Sequence, residues 1–155
     1  MSVEKARGFL KQHRLEDRIR VFEEGTETVE KAAEQVGCLP SEIAKSMAFE
    51  IDERCILIVA AGDIRIDNKK YKEEFGKKAK MIKREDLIEK IGYPMGGVCP
   101  FNVNEDVEIY MDHSLKRFEK VYPAGGSEDS VIELSLQELE RIIQPVKWVD
   151  LGREV

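Results

Sequence analysis

Apolar positions in this chain recur first at helical and then at strand spacing, and the switches between the two set the expected element order. Val3, Ala6, Phe9 and Leu10 share one face of a helix that Ser2 would cap and that runs to about His13. Residues 19–22 alternate and read as a short strand. Thr28 caps a second helix, in which Val29, Ala32, Ala33 and Val36 follow the i, i+3, i+4, i+7 pattern and Gly37 supplies the stop. Pro40-Ser41-Glu42 opens a helical turn that delivers Ala44, Lys45 and Ser46 to the next strand. Residues 46–51 and 55–60 predict an antiparallel pair joined at Asp52-Glu53; the second is apolar on both faces, as a covered central strand is.

Further on, residues 67–75 predict a helix closed by Gly76, residues 80–82 a short strand, and residues 84–91 a helix ended by Gly92. Val107, Ile109 and Met111 alternate in a strand, as do residues 131–134. Ser135 caps a last helix with Leu136, Leu139, Ile142 and Ile143 inward; Pro145 stops it, and residues 146–149 return as an edge strand. The elements are interspersed without regular βαβ alternation. The expected fold is therefore α+β: a mixed, strongly curved, barrel-like sheet with surrounding helices, in one domain over residues 1–155.

Composition narrows the class. An apolar content of 42% with 36% charged residues describes a globular chain, and the longest apolar run, residues 55–61, falls far short of the roughly 20 residues of a membrane helix. The N-terminus carries Glu4, Lys5 and Arg7 and has no secretory h-region. Cys38, Cys55 and Cys99 form no CxxC pair, which fits reduced thiols in the cytoplasm. A net charge of −6 argues against a free-standing, high-affinity nucleic-acid binder, DNA included. Residues 65–90 nevertheless carry ten basic against six acidic groups, either a solvated helical surface or a local phosphate-facing patch.

The candidate chemistry is concentrated in Gly92-Tyr93-Pro94-Met95-Gly96-Gly97-Val98-Cys99-Pro100-Phe101. Three glycines and two prolines make a stiff loop whose backbone can approach a ligand closely. Cys99 is a conceivable nucleophile with Asp112-His113 nearby in sequence, but a small side chain filling a tight loop is the commoner case. Lys45 lies in an apolar context, where it either snorkels or serves as a cation at a pocket wall. Gly125-Gly126 is either a plain turn or the opposite wall of the same cleft. No HExxH, Cys/His cluster, EF-hand, GxxxxGK[ST], GxGxxG or GxSxG occurs.

Taken together, Lys45-Ser46-Met47, Ala60-Ala61-Gly62-Asp63, the residue 92–101 loop, Asp112 and Ala124-Gly125-Gly126 ahead of Ile132-Glu133-Leu134 resemble the YbaK/prolyl-tRNA-synthetase-associated editing-domain family over residues 20–145. The resemblance implies an aminoacyl-tRNA deacylase acting in trans, without metal or organic cofactor. Its partners would be the acceptor end of a mischarged tRNA and an aminoacyl-tRNA synthetase, with no membrane and no DNA. It places Lys45 and Gly96 as catalytic and Phe22, Gly97, Val98, Cys99, Pro100, Asp112, Gly125 and Gly126 at the substrate. Cysteine-releasing members carry a serine and an aspartate where this chain has Ala124 and Val131. That departure puts cysteine-type chemistry in question and motivates the alternative of a non-catalytic tRNA- or nucleotide-binding module on the same fold.

Overall fold

The computed structural model describes residues 2–154, without the side chains of Ser2 and Glu154. Ten strands and five α-helices are described: α1 (Ser2–Gln12), β1 (Ile19–Val21), α2 (Val29–Val36), β2 (Ile43–Ile51), β3 (Arg54–Ala61), β4 (Ile64–Ile66), α3 (Asn68–Phe75), α4 (Leu87–Lys90), β5 (Glu108–Asp112), β6 (Lys120–Pro123), β7 (Ser130–Ile132), β8 (Leu134–Ser135), α5 (Leu136–Ile143), β9 (Lys147–Val149) and β10 (Gly152–Glu154). Six strands form the main sheet in the order β8-β6-β2-β3-β5-β9. Within it β2/β3 and β6/β8 are antiparallel, whereas β2/β6, β3/β5 and β5/β9 are parallel. The two-stranded ribbons β1-β7 and β4-β10 extend this curled, mixed α+β architecture. Among the described residues no helix is long and apolar enough to cross a membrane.

β3 shows why the sheet curls around one strand. Residues 56–61 are all fully buried, with Ile56 and Ile58 packing toward Tyr71 and Tyr110, Leu57 toward Ile82, Leu87 and Ile91, and Val59 and Ala61 toward Phe101 and Leu134. Apolar cover on both faces is what its uninterrupted hydrophobic run demands.

The helix signals hold where capping chemistry is local. Thr28 Oγ1 accepts the Lys31 amide at 3.1 Å, and Gly37 closes α2 at φ 84°. Asp67 caps α3, Gly76 ends it, and Ser135 with Glu138 forms a full capping box on α5. The expected Ser2 cap rests on a side chain outside the described ones. Other expectations require correction. Residues 80–82 form only an isolated bridge, Phe49 to Met81, because one pairing and two backbone hydrogen bonds to β2 are all the sheet offers there. Residues 84–91 divide into a 3₁₀ turn and the single-turn helix α4. Strand β2 begins at Ile43 rather than 46, since its first residues pair in parallel with Tyr122 and Pro123. The run 131–134 breaks at Glu133, whose carboxylate turns outward to Arg20. Strands β4, β6 and β10 carry no alternation long enough to read.

Candidate active site

The loop after α4 is stiff because the rest of the fold ties it at both ends. Lys5 Nζ donates to the Gly92 carbonyl at 3.3 Å and lies 4.8 Å above the Tyr93 ring. Phe9 of α1 packs on Phe101, the Tyr93 hydroxyl donates to the Phe101 carbonyl, and the Asn104 amide closes the base on Ile91 at 3.0 Å. Inside it, Pro94 to Gly97 form a turn closed by the Gly97 amide donating to the Pro94 carbonyl at 3.0 Å. Gly96 stands third in that turn at φ 88°, where a type II turn calls for glycine. Gly97 is buried against the second glycine loop: a Cβ there would lie 2.6 Å from the carbonyl carbon and oxygen of Gly126. The two glycine pairs therefore pack backbone to backbone.

Between these loops, β2 and the start of α2 lies a cavity of about 170 Å³. Its lining includes Lys45, Ser46, Gly96 and Val98, with Ala32, Ile43, Tyr122, Ala124 and Val131 making an apolar floor. The segment before α2 closes one side: the Phe22 amide donates to Asp129 O at 2.7 Å and the Thr26 amide to Glu128 O at 2.6 Å. That strap brings Thr26, Glu27 and Thr28 to the rim. Ala124 and Val131 bridge to each other across the floor, so both positions that depart from the cysteine-releasing pattern lie in the cavity wall.

Lys45 sits half-buried on β2, opposite Ala60 of β3. Among the described residues it has no hydrogen bond and no ion pair. Burial pushes its pKa below the ordinary lysine value, against the opposing pull of Asp63 and Glu30. Asp63 itself is engaged by the Arg117 guanidinium at 2.6 and 3.0 Å, which lowers its pKa. Among the described residues Ser46 Oγ is buried with no hydrogen-bond partner.

Of the residues expected at the site, Lys45, Gly96 and Val98 come together on the cavity lining. Phe22 lies behind it, packed with Ala32, Ile43 and Val131. Gly97, Gly125 and Gly126 are buried supports of the two loops, and Pro100 is buried farther along the first. Cys99 is fully buried and its thiol pKa is pushed up to about 12 by desolvation, so the thiolate a nucleophile needs is not formed near neutrality. Asp112 is buried away from the lining, with Oδ2 accepting the Ser114 amide at 2.9 Å and Oδ1 the Leu151 amide at 2.8 Å. Met95 stood in the loop singled out from the sequence, whereas Thr26, Glu27 and Tyr122 escaped sequence reasoning because loop-to-loop hydrogen bonds and a parallel strand pairing place them, and neither leaves a periodic trace.

A family model described as the aminoacyl-tRNA editing domain matches residues 23–142. The chain belongs to that family. This editing domain is 44% identical over 155 residues to the uncharacterized protein YwhH of Bacillus subtilis (strain 168), covering 99% of each chain. It is 28% identical over 107 residues to a proline–tRNA ligase of Thermotoga maritima, matching 68% of this chain but only 18% of the ligase. Among solved structures, a candidate trans-editing enzyme for prolyl tRNA synthetase superposes with TM-score 0.89 at 25% identity, covering 98% of this chain and 97% of the other. The hypothetical protein APE2540 gives 0.80 at 28% identity, covering 92% and 99%.

Gly96→Ala tests the editing-domain loop directly. A Cβ at φ 88° is strained, and it would stand 3.1 Å from Glu27 Cβ and 3.3 Å from Glu128 Cβ. The expected outcome is a loss of stability of about 1–2 kcal/mol, together with displacement of the strap. Thermal denaturation and crosspeak shifts confined to residues 22–28 and 94–98 in amide NMR spectra would check it.

Proposed function

We propose that the chain is an aminoacyl-tRNA deacylase acting in trans, hydrolysing the ester between a wrong amino acid and the terminal adenosine of a tRNA. The observation that carries this reading is Lys45, a half-buried cation, unpaired among the described residues, on the wall of a small cavity whose opposite side is a glycine loop. Water attacks the ester carbonyl, Lys45 and the backbone amides of the Gly96 loop stabilise the oxyanion, and collapse releases the ribose hydroxyl and the free amino acid. No protein nucleophile is required, since aminoacyl esters are already activated. A cavity of about 170 Å³ is close to the roughly 150 Å³ that accepts a benzene-sized ligand, so the side chain it admits is small. Single-turnover assays on a panel of mischarged tRNAs test the reading: release is expected from esters of small amino acids, and no release from any of them would sink it.

The tRNA backbone is proposed to approach over β4. Residues 65–90 look basic in sequence, yet Lys70, Lys77, Lys80 and Lys90 are engaged with Asp150, Asp52 and Glu50. Arg65 is different. It lies directly opposite Arg153 in the β4-β10 register, both are exposed, and Arg65 is close enough to oppose the charge on Lys45. Like charges facing each other across a ribbon are unfavourable until a shared anion joins them. The double variant Arg65→Ala/Arg153→Ala is expected to weaken tRNA binding and to reduce the slope of log K against log salt by about 0.7 for each phosphate no longer neutralised. Hydrolysis of a minimal aminoacyl-adenosine would change far less than tRNA binding, through the small relief of charge on Lys45 alone. Fluorescence anisotropy across a salt series reads the first effect and a discontinuous assay the second. The net charge of −6 keeps intrinsic tRNA affinity low, which is why an aminoacyl-tRNA synthetase is proposed to deliver the substrate.

A further inference from the structure

The cavity lining holds one cation and, among the described residues, one carboxylate: Lys45 on β2 and Glu27 on the strap before α2. Glu27 is held in place from two sides. Its Cβ abuts Gly96, and Lys31 Nζ donates to Oε1 at 2.5 Å. Oε2 lies beside Gly25, at the mouth of the cavity, where Glu27 also borders an outer groove lined by Gly25 and Glu128. The Lys31 contact keeps the Glu27 carboxyl below its ordinary pKa, so it is ionised near neutrality.

An aminoacyl ester carries a matching pair of groups on adjacent atoms, a carbonyl that accumulates negative charge during attack and an α-ammonium. We propose that the Glu27 carboxylate receives that α-ammonium, orienting the ester carbonyl toward Lys45 and restricting the site to amino acids with a free amine. The inference rests on the deacylase reading above and extends it to a specificity rule. An N-acylated ester, such as the one in peptidyl-tRNA, presents a neutral amide to this corner. Its binding would strip water from the Glu27 carboxylate and return no counter-charge. The acidic flank continues past Gly96, where Glu128 Cβ stands against the same glycine, so this side of the mouth repels phosphate and attracts the amine.

The test compares one mischarged tRNA carrying a small amino acid with its N-acetylated form. The native protein is expected to favour the free amine by about 10- to 100-fold in kcat/KM, the range for one charge-assisted hydrogen bond. Glu27→Gln should lose most of that factor on the free-amine substrate through KM and raise the N-acetyl rate, because the desolvation cost of the carboxylate is lifted, while Glu27→Asp restores part of the native preference. Equal losses on both substrates, or an unchanged rate on the free amine, would overturn the proposal. Should the native protein hydrolyse neither substrate, the deacylase reading falls by itself. The same comparison then runs on binding of non-hydrolysable 3′-aminoacylamino-adenosine with free and acetylated amines, where equal affinities would refute the role of Glu27.

Discussion

Replacing Lys45 with methionine is expected to cut aminoacyl-ester hydrolysis by about 10²- to 10³-fold, the cost of removing one donor from a developing oxyanion. Its fold should be no less stable than the native one. The native lysine places a half-buried ammonium on the cavity wall with no ion-pair partner among the described residues, and burial lowers its pKa. A lowered lysine pKa means that folding disfavours the charged form. The penalty is in full force below the folded-state pKa and fades as pH rises through the unfolded value near 10.5. Lys45→Met removes it, so any gain in stability is largest at neutral pH and vanishes in strong alkali. Methionine keeps the length of the stem and its packing. Single-turnover rates paired with thermal denaturation at pH 7 and above pH 10 make the measurement. Turnover retained at the native rate would dismiss Lys45 from the chemistry, and a large loss of stability would mean that its role is structural.

Asp112→Ala is the opposite case, a large effect on stability with little on the chemistry of the molecules that remain folded. The carboxylate is buried and accepts two backbone amides, Ser114 at 2.9 Å and Leu151 at 2.8 Å. Orphaning the buried Leu151 amide costs about 1–3 kcal/mol and the part-buried Ser114 amide less, so a loss of about 2–4 kcal/mol is expected. For a chain of this size that lowers Tm by about 5–15 °C. Asp112→Asn keeps one acceptor and should fall between. The link to the cavity is indirect: Ser114 Oγ accepts the Ala61 amide at 3.1 Å, and Ala61 and Ala60 pair with Ala44 and Lys45. Asp112 therefore positions the strand that carries the lysine. Calorimetry with kcat and KM corrected for the folded fraction decides the matter. A native Tm with no turnover would return Asp112 to the substrate.

These two residues mark where sequence reasoning reached the candidate site and where it stopped. Lys45 was legible because a lysine among Ile43, Ala44, Met47 and Phe49 conflicts with its surroundings, and local conflict is visible in a string. Gly96 was legible because a turn with φ 88° needs a residue without Cβ. Asp112 was read with the substrate groups, yet a buried carboxylate tying two loops leaves the same mark in a sequence as one that binds a ligand. Cys99 is similar: only its complete burial separates a filler thiol from a reactive one.

The local order of the chain was already written in its residues: the caps at Thr28 and Ser135, the glycine stops, the covered strand β3 and the α+β class, along with membership of the editing-domain family. The caps and glycine stops depend on neighbours within a few residues, where periodicity and capping carry the free energy. Which polar groups meet was settled in three dimensions alone. Glu27 reaches the cavity because the Thr26 amide binds Glu128 O across about a hundred residues of chain, a hydrogen bond between backbones that no side-chain pattern encodes. Gly97 faces Gly126 for the same reason: the contact is defined by the absence of side chains, and its partner is chosen by the curl of the sheet.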